Sequence, residues 1–343
     1  MVHLQKDGVL DFQKRTLIDN NIVVSPPPLS PSSSITILNR ARNIAPLSAM
    51  LPQPKVIVVG ASGNIGKATL AALTSRHAGK VATYAGVRNP SKFDAGMENV
   101  HVIQADMGDE YALTEVLKGY DRAFLVVPGH EERTQLGLNG VEAVKKSASI
   151  KFMLLLSVIV TGTDCVFGKQ FEPIEKLAKE SGVDYAIVRL PVFMENNFAH
   201  IASIKEQGTF YDPRDPTKPH SAVAVADVGK AAADILANPV IHVGTTYNLV
   251  GPAMCVNDFA AALTKTLDRV VKPTTISYDA AREAFIGMGL AQWQVDGLLE
   301  EFREVDEGSS ITNVADTGDI EKITGEKATT IEQWVEQNIA AFQ

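Results

Sequence analysis

The stretch VIVVGASGNIGKATLAALTSR, residues 56–76, changes character at Gly60. Before it, Val56, Ile57, Val58 and Val59 form an unbroken apolar run, the signature of a strand buried on both faces. After the turn, Ile65, Leu70 and Leu73 can share one face of a helix. Gly60, Gly63 and Gly66 punctuate the join as G-x-x-G-x-x-G. One glycine permits the tight turn, and one lets backbone N–H groups approach a pyrophosphate. One lets the helix pack close to the strand, so that its positive end faces the anion. A glycine triplet alone is weak. Placed after an apolar strand and opening a helix, it predicts a dinucleotide-binding loop.

Working outward, the runs 81–87, 100–106, 123–128, 152–157 and 184–191 read as further strands. Between them, residues 111–119, 137–148 and 172–182 read as helices, the first closed by Gly119 and the last by Gly182. Strands alternating with helices at this spacing imply right-handed βαβ units. The expected fold is α/β, a Rossmann-type doubly wound parallel sheet with a smaller C-terminal α+β substrate lobe. Residues 54–195 form the nucleotide-binding domain, and residues 217–238 return to it, with AVADVGKAAADILANP (224–239) read as a helix that has Asp227 as N-cap. Residues 196–216 and 239–343 build the substrate lobe. Residues 1–53 stand apart: SPPPLSPSSS (25–34) lacks backbone donors and apolar surface, so a mobile extension is expected. Arg40 and Arg42 suit a targeting peptide, whereas Asp7, Asp11 and Asp19 do not, and Met50 is an alternative start.

The 343 residues, 45% hydrophobic and 21% charged, suffice for a substantial core. A net charge of −8 argues against a nucleic-acid surface, which needs Lys and Arg to neutralise phosphates. Only two cysteines, Cys165 and Cys255, are present, too few for a disulfide framework and without metal-site spacing. No apolar run is long enough to span a membrane. A small-molecule partner and a cytoplasmic setting are expected, with organelle targeting by residues 1–53 left open.

Cofactor choice lies at the end of the second strand, where enzymes that use NAD commonly carry an acid for the ribose 2′-hydroxyl. Here the sequence is VRNPSK, with Arg88 in that place and Lys92 nearby. A guanidinium suits a 2′-phosphate, so NADP(H) is expected over NAD(H). Asp106, ending the third strand, has two open readings: it meets the adenine amino group, or it caps the following turn.

Together GASGNIG, VRNPSK, VIQADMGD (102–109) and ESGVDYAIVRLPVFMENN (180–197) resemble the NmrA-like branch of the atypical short-chain dehydrogenases/reductases. The resemblance extends over residues 55–342 and includes TYNLVGP (246–252) and the closing EKITGEKATTIEQWVEQNIAAF. It implies a cleft between Rossmann domain and substrate lobe that holds the nicotinamide. It also implies cofactor contacts from Gly60, Ala61, Ser62, Gly63, Asn64 and Ile65, from Arg88, Lys92, Asp106 and Met107, from Val127 and Pro128, and from Phe193, Met194, Glu195 and Asn196. Gly66 joins them through the glycine motif.

The chain departs from the superfamily where chemistry would occur. The main branch uses Tyr-x-x-x-Lys, in which the lysine lowers the tyrosine pKa. No tyrosine here has a lysine four residues on, and the aligned segment carries Phe171 and Glu175. Ser157 sits where relatives have a catalytic serine, and Lys169 is the nearest lysine; these two are the candidate catalytic residues. The leading reading is an NADPH-dependent oxidoreductase acting on a quinone-like or other small acceptor, whose reduction asks little proton assistance. The alternative is a redox sensor that binds NADP(H) without turnover and changes protein partners.

Overall fold

The computed structural model describes residues 52–343, so the expectation for residues 1–53 lies almost wholly outside the described residues. From the start the chain alternates as expected: β1 (Lys55–Val59), α1 (Asn64–Arg76), β2 (Ala82–Val87), β3 (Val100–Gln104), α2 (Glu110–Leu117), β4 (Arg122–Leu125), α3 (Arg133–Ser147), β5 (Phe152–Val158), α4 (Val166–Glu180) and β6 (Asp184–Leu190). It continues through β7 (Val192–Phe193), α5 (Ile201–Gln207), β8 (Thr209–Asp212), β9 (Ala222–Val223), α6 (Val225–Ala237), β10 (Thr245–Asn248), α7 (Val256–Leu267) and β11 (Lys272–Thr275). Four helices finish it: α8 (Tyr278–Gly287), α9 (Gln292–Asp306), α10 (Asp319–Thr324) and α11 (Ile331–Asn338).

Seven strands form one parallel sheet in the order β10-β6-β5-β4-β1-β2-β3. Helices α1, α6 and α10 pack together on one side, and α2, α3 and α4 form the other layer. Covered on both faces, the sheet has no use for alternation, which is why Met153, Leu154 and Leu155 of β5 are all 0% exposed. The strand order reverses between β1 and β4. A crevice opens there beyond the strand ends, the place where doubly wound sheets bind ligands.

Three features depart from the expectation. Strand β10 and helix α10 belong to the sheet layers, although both lie within the 239–343 segment assigned to the second lobe. Asp227 does not cap α6: it lies in the first turn, and its Oδ2 accepts a bond from Thr329 N at 2.7 Å. Helix α4 begins at Val166, ahead of the expected start near Glu172, with Cys165 as its N-cap and Val166 N donating to Glu300 Oε2 at 2.8 Å. A carboxylate from far along the chain thus joins the local cap, Cys165 Sγ accepting from Gly168 N at 3.3 Å, in satisfying the first N–H groups.

The second lobe has its own core, built around Trp334, Phe342, Phe259 and Phe210 and carried by α5, β8, α7 and α11. A third cluster, Ala281, Val295 and Leu299, joins α8 to α9, and α9 packs against α4.

Candidate functional site

At the switch point lies a cleft of about 710 Å³, lined by the glycine loop at one end and by α4 and α9 at the other. The loop is fixed before any ligand arrives. Gly60 N and Ala61 N both donate to Gly86 O, at 3.0 and 3.1 Å. Gly60 has φ +88°, and a β-carbon on it would lie 2.4 Å from Val126 O. On Gly66 a β-carbon would lie 2.6 Å from Gly60 O, so only glycine lets the helix start this close to the strand. Helix α1 is capped by Gly63 with no side-chain acceptor, and its first turn carries no acid. Its leading N–H groups therefore remain available to an anion, and the helix dipole favours one there. Glycines that any β-carbon would crowd, joined to an open helix end, fit the pyrophosphate of a dinucleotide.

Of the expected cofactor residues, Gly60, Ser62, Gly63, Asn64, Ile65, Arg88, Asp106, Met107, Val127, Pro128, Phe193 and Asn196 line this cleft. Arg88 is exposed on its lip. Asp106 Oδ1 accepts from Gly108 N at 2.9 Å, so it caps the turn while still facing the cleft.

Ala61, Gly66, Lys92, Met194 and Glu195 are not part of the lining. Ala61 and Met194 are buried at 0% and 1% exposure. Lys92 sits exposed in a short 3₁₀ turn beyond Arg88. The Glu195 carboxylate accepts from Val225 N, at 3.0 and 3.1 Å, and from Trp334 Nε1, at 3.2 Å. It thereby caps α6 and anchors the second core, and burial holds its pKa above the ordinary carboxylate value.

The two catalytic candidates sit in unlike places. Ser157 reaches the cleft wall, yet it is 0% exposed and its Oγ donates to Glu175 Oε1 at 2.6 Å. Glu175, at the position of the missing lysine, is the buried centre of a charge network. Arg189 holds it through Nε at 2.8 Å and Nη2 at 2.7 Å, and Lys179 Nζ lies at 3.0 Å. Burial pushes its pKa up, but these bonds outweigh burial and hold it below the ordinary value. Lys169 points to solvent, its Nζ 3.7 Å from the exposed Asp164, and does not line the cleft.

The end of the cleft near α4 and α9 holds residues that sequence reasoning passed over. Arg133, at the start of α3, lies 5.4, 5.1 and 5.3 Å from the ring centroids of Phe167, Phe171 and Trp293. Its Nε donates to Pro128 O at 3.2 Å and its Nη1 to Gln170 Oε1 at 3.1 Å. Surrounded by rings, its pKa is lowered to about 10. Leu298 and Glu301 of α9 line the same cleft. Single residues on three separate helices leave no periodic signal to find. His200, Tyr211 and His220 are not in the cleft lining: His200 packs at a tilt against Phe210, Tyr211 bonds Gln207, and His220 bonds Arg214.

Among the described residues no helix is long and apolar enough to cross a membrane. The chain is 27% identical over 291 residues to the NAD(P)H azoreductase of Xenophilus azovorans, spanning 84% of this chain and 99% of that protein. It is 28% identical over 285 residues to quinone oxidoreductase 2 of Escherichia coli K12, spanning 82% and 97%. The solved structure of the Escherichia coli NADPH-dependent quinone oxidoreductase with NADPH superposes with a TM-score of 0.72 at 26% identity, covering 83% of this chain and 99% of that one. With the NmrA-like family model matching residues 52–337, the chain belongs to the NmrA-like family.

Proposed function

We propose that this chain is an NADPH-dependent oxidoreductase that reduces a quinone-like acceptor in the switch-point cleft. The observation that carries the reading is one cleft with two unlike ends: an open helix N-terminus framed by obligatory glycines, and an aromatic wall of Phe167 and Phe171. The names of the two relatives, a quinone oxidoreductase and an azoreductase, agree with a flat conjugated acceptor.

The N-terminus of α1 would hold the pyrophosphate, and Arg88 the 2′-phosphate. Phe193 and Asn196 would flank the nicotinamide. When bound, NADPH supplies a hydride. The protein's own work is to orient that donor against the acceptor and to exclude water, for which the buried Val127, Leu156 and Phe171 suit the walls. Two planar faces stacked at van der Waals distance need little further positioning, which favours quinones over unactivated ketones.

Two measurements test this. Titration calorimetry should show NADPH binding more tightly than NADH by roughly 1–3 kcal/mol, the worth of a charge-assisted contact, and Arg88→Ala should erase the difference. NADPH oxidation should be faster with 1,4-naphthoquinone than with cyclohexanone. Equal cofactor affinities would remove Arg88 from its role, and tight NADPH binding without oxidation by any quinone would overturn the reductase.

A further inference from the structure

We propose that Glu301 is the acid of this site, donating a proton to the acceptor from the α9 side as hydride arrives from the cofactor side. The proposal rests on the reductase reading and assigns the role that the absent tyrosine leaves open.

Three carboxyls line the main cleft, Asp106, which caps a turn, Glu132, which is exposed, and Glu301, and of these only Glu301 borders a second cavity. Glu301 lines the main cleft and also a smaller cavity behind it, of about 20 Å³. Among the described residues, the buried polar side-chain atoms without a partner are His77 Nδ1 and His220 Nδ1, so the Glu301 oxygens are not sealed in protein. Nor does any hydrogen bond hold them; the charges acting on this carboxyl act at a distance. Its neighbour Glu300 is spoken for, capping α4 through Val166 N at 2.8 Å. The cavity behind it is large enough for about one water, a route for returning a proton.

The groups that face Glu301 come from every element around it. Arg133 of α3, which lines the same cleft, favours the carboxylate, as does Arg214 beyond β8. Glu300 on its own helix disfavours it, and His220, its pKa lowered to about 3 mainly by burial, stays neutral. Surrounding protein outweighs the arginines and pushes Glu301 up to about 7. A carboxyl still about half protonated at pH 7 can act as an acid where an ordinary glutamate, ionised there, cannot.

The step balances with what the site holds. Two electrons and one hydrogen reach one carbonyl oxygen of the quinone as hydride, the donor C–H bond breaking as that O–H bond forms and the second oxygen taking the negative charge. The Glu301 O–H bond breaks, and its proton goes to the second carbonyl oxygen of the quinone. The products are quinol, oxidised cofactor and a Glu301 carboxylate, which regains a proton from water before the next turnover.

The test compares the parent chain with Glu301→Gln and Glu301→Asp. Rates with NADPH and 1,4-naphthoquinone are read across pH 5.5–9, a window bracketing the expected step at about 7. NADPH affinity is read by fluorescence, and carboxyl protonation by infrared spectroscopy without cofactor. The parent rate should fall as pH rises through about 7, with a carboxyl C=O band fading over the same range and absent in Glu301→Gln. Glu301→Gln should lose about 10²-fold in kcat and lose the pH step, with NADPH affinity unchanged, while Glu301→Asp recovers part of the rate. A Gln variant that keeps rate and pH step overturns the acid and leaves the reductase standing. So does a Glu301 carboxyl already ionised at pH 6. A parent that binds NADPH but oxidises none with quinone overturns the reductase and the acid with it.

Discussion

Glu175 shows what one substitution does when the fold has already absorbed it. Its side chain is 2% exposed and receives bonds from Ser157, Arg189 and Lys179. Removing it in Glu175→Ala leaves Arg189 facing apolar surroundings without its partner. A stability loss of about 3–5 kcal/mol is expected, toward the lower figure because the Arg189 side chain is 25% exposed. A denaturant midpoint that drops at constant slope would register it, and an unmoved midpoint would contradict the network. The same carboxylate sets a pH direction. Its folded pKa lies below the ordinary value of 4.5, so its contribution is present above that value and fades as pH falls through the lower folded one. The position that relatives give to a lysine thus does structural work here. Ser157 is bound into that network rather than free.

Among elements, the contact of α4 with α9 shapes the acceptor end. Gly297 of α9 meets the ring of Phe167 so closely that a β-carbon would come within 2.6 Å of it. That ring also packs edge-on to Trp293, with centroids 6.2 Å apart, and beside Arg133. Gly297→Ala should therefore displace Phe167 into the cleft rather than unfold the helix. The expected outcome is a rise of about tenfold in KM for 1,4-naphthoquinone with NADPH affinity unchanged, the usual worth of a methylene-sized misfit. Weakened NADPH binding with unchanged KM would mean that α9 borders the cofactor instead. Helix α1 bears on the opposite end. Its open N-terminus and lack of a first-turn acid serve the anion, and its far end is tied to α6 by Arg76 Nη2 on Asp234 Oδ2 at 2.9 Å.

At the scale of the whole molecule, charge buried between the lobes makes the fold acid-sensitive. His220 is 4% exposed, and its Nε2 lies 3.0 Å from Arg214 Nη1, a group that can only donate. Burial first, and the guanidinium second, lower its pKa to about 3 from an ordinary 6.5. Between those values the unfolded chain takes up a proton that the folded one refuses. Stability from this residue is thus whole above pH 6.5 and falls as pH drops toward 3, by up to about 1.4 kcal/mol per pH unit. Denaturant titrations at stepped pH should show a steeper acid loss in the parent than in His220→Asn, and identical slopes would refute the assignment.

The sequence by itself determined whatever depends on neighbours in the chain. The apolar run of β1, the three glycines and the periodic α1 are short-range patterns, and they announced the doubly wound sheet and its phosphate end. The place of Arg88 on the cleft lip was legible for the same reason, since the end of the second strand has a fixed place beside that loop. The tertiary structure decided the rest. Glu300 adds a bond to the start of α4 from across the chain, β10 pairs with β6 outside the expected boundary, and Arg133 and Glu301 come to line one cleft from α3 and α9. An isolated arginine or glutamate on a helix has no periodicity and looks like any solvated charge. Only packing takes water away from it, and the loss of water changes both its proton affinity and its chemistry.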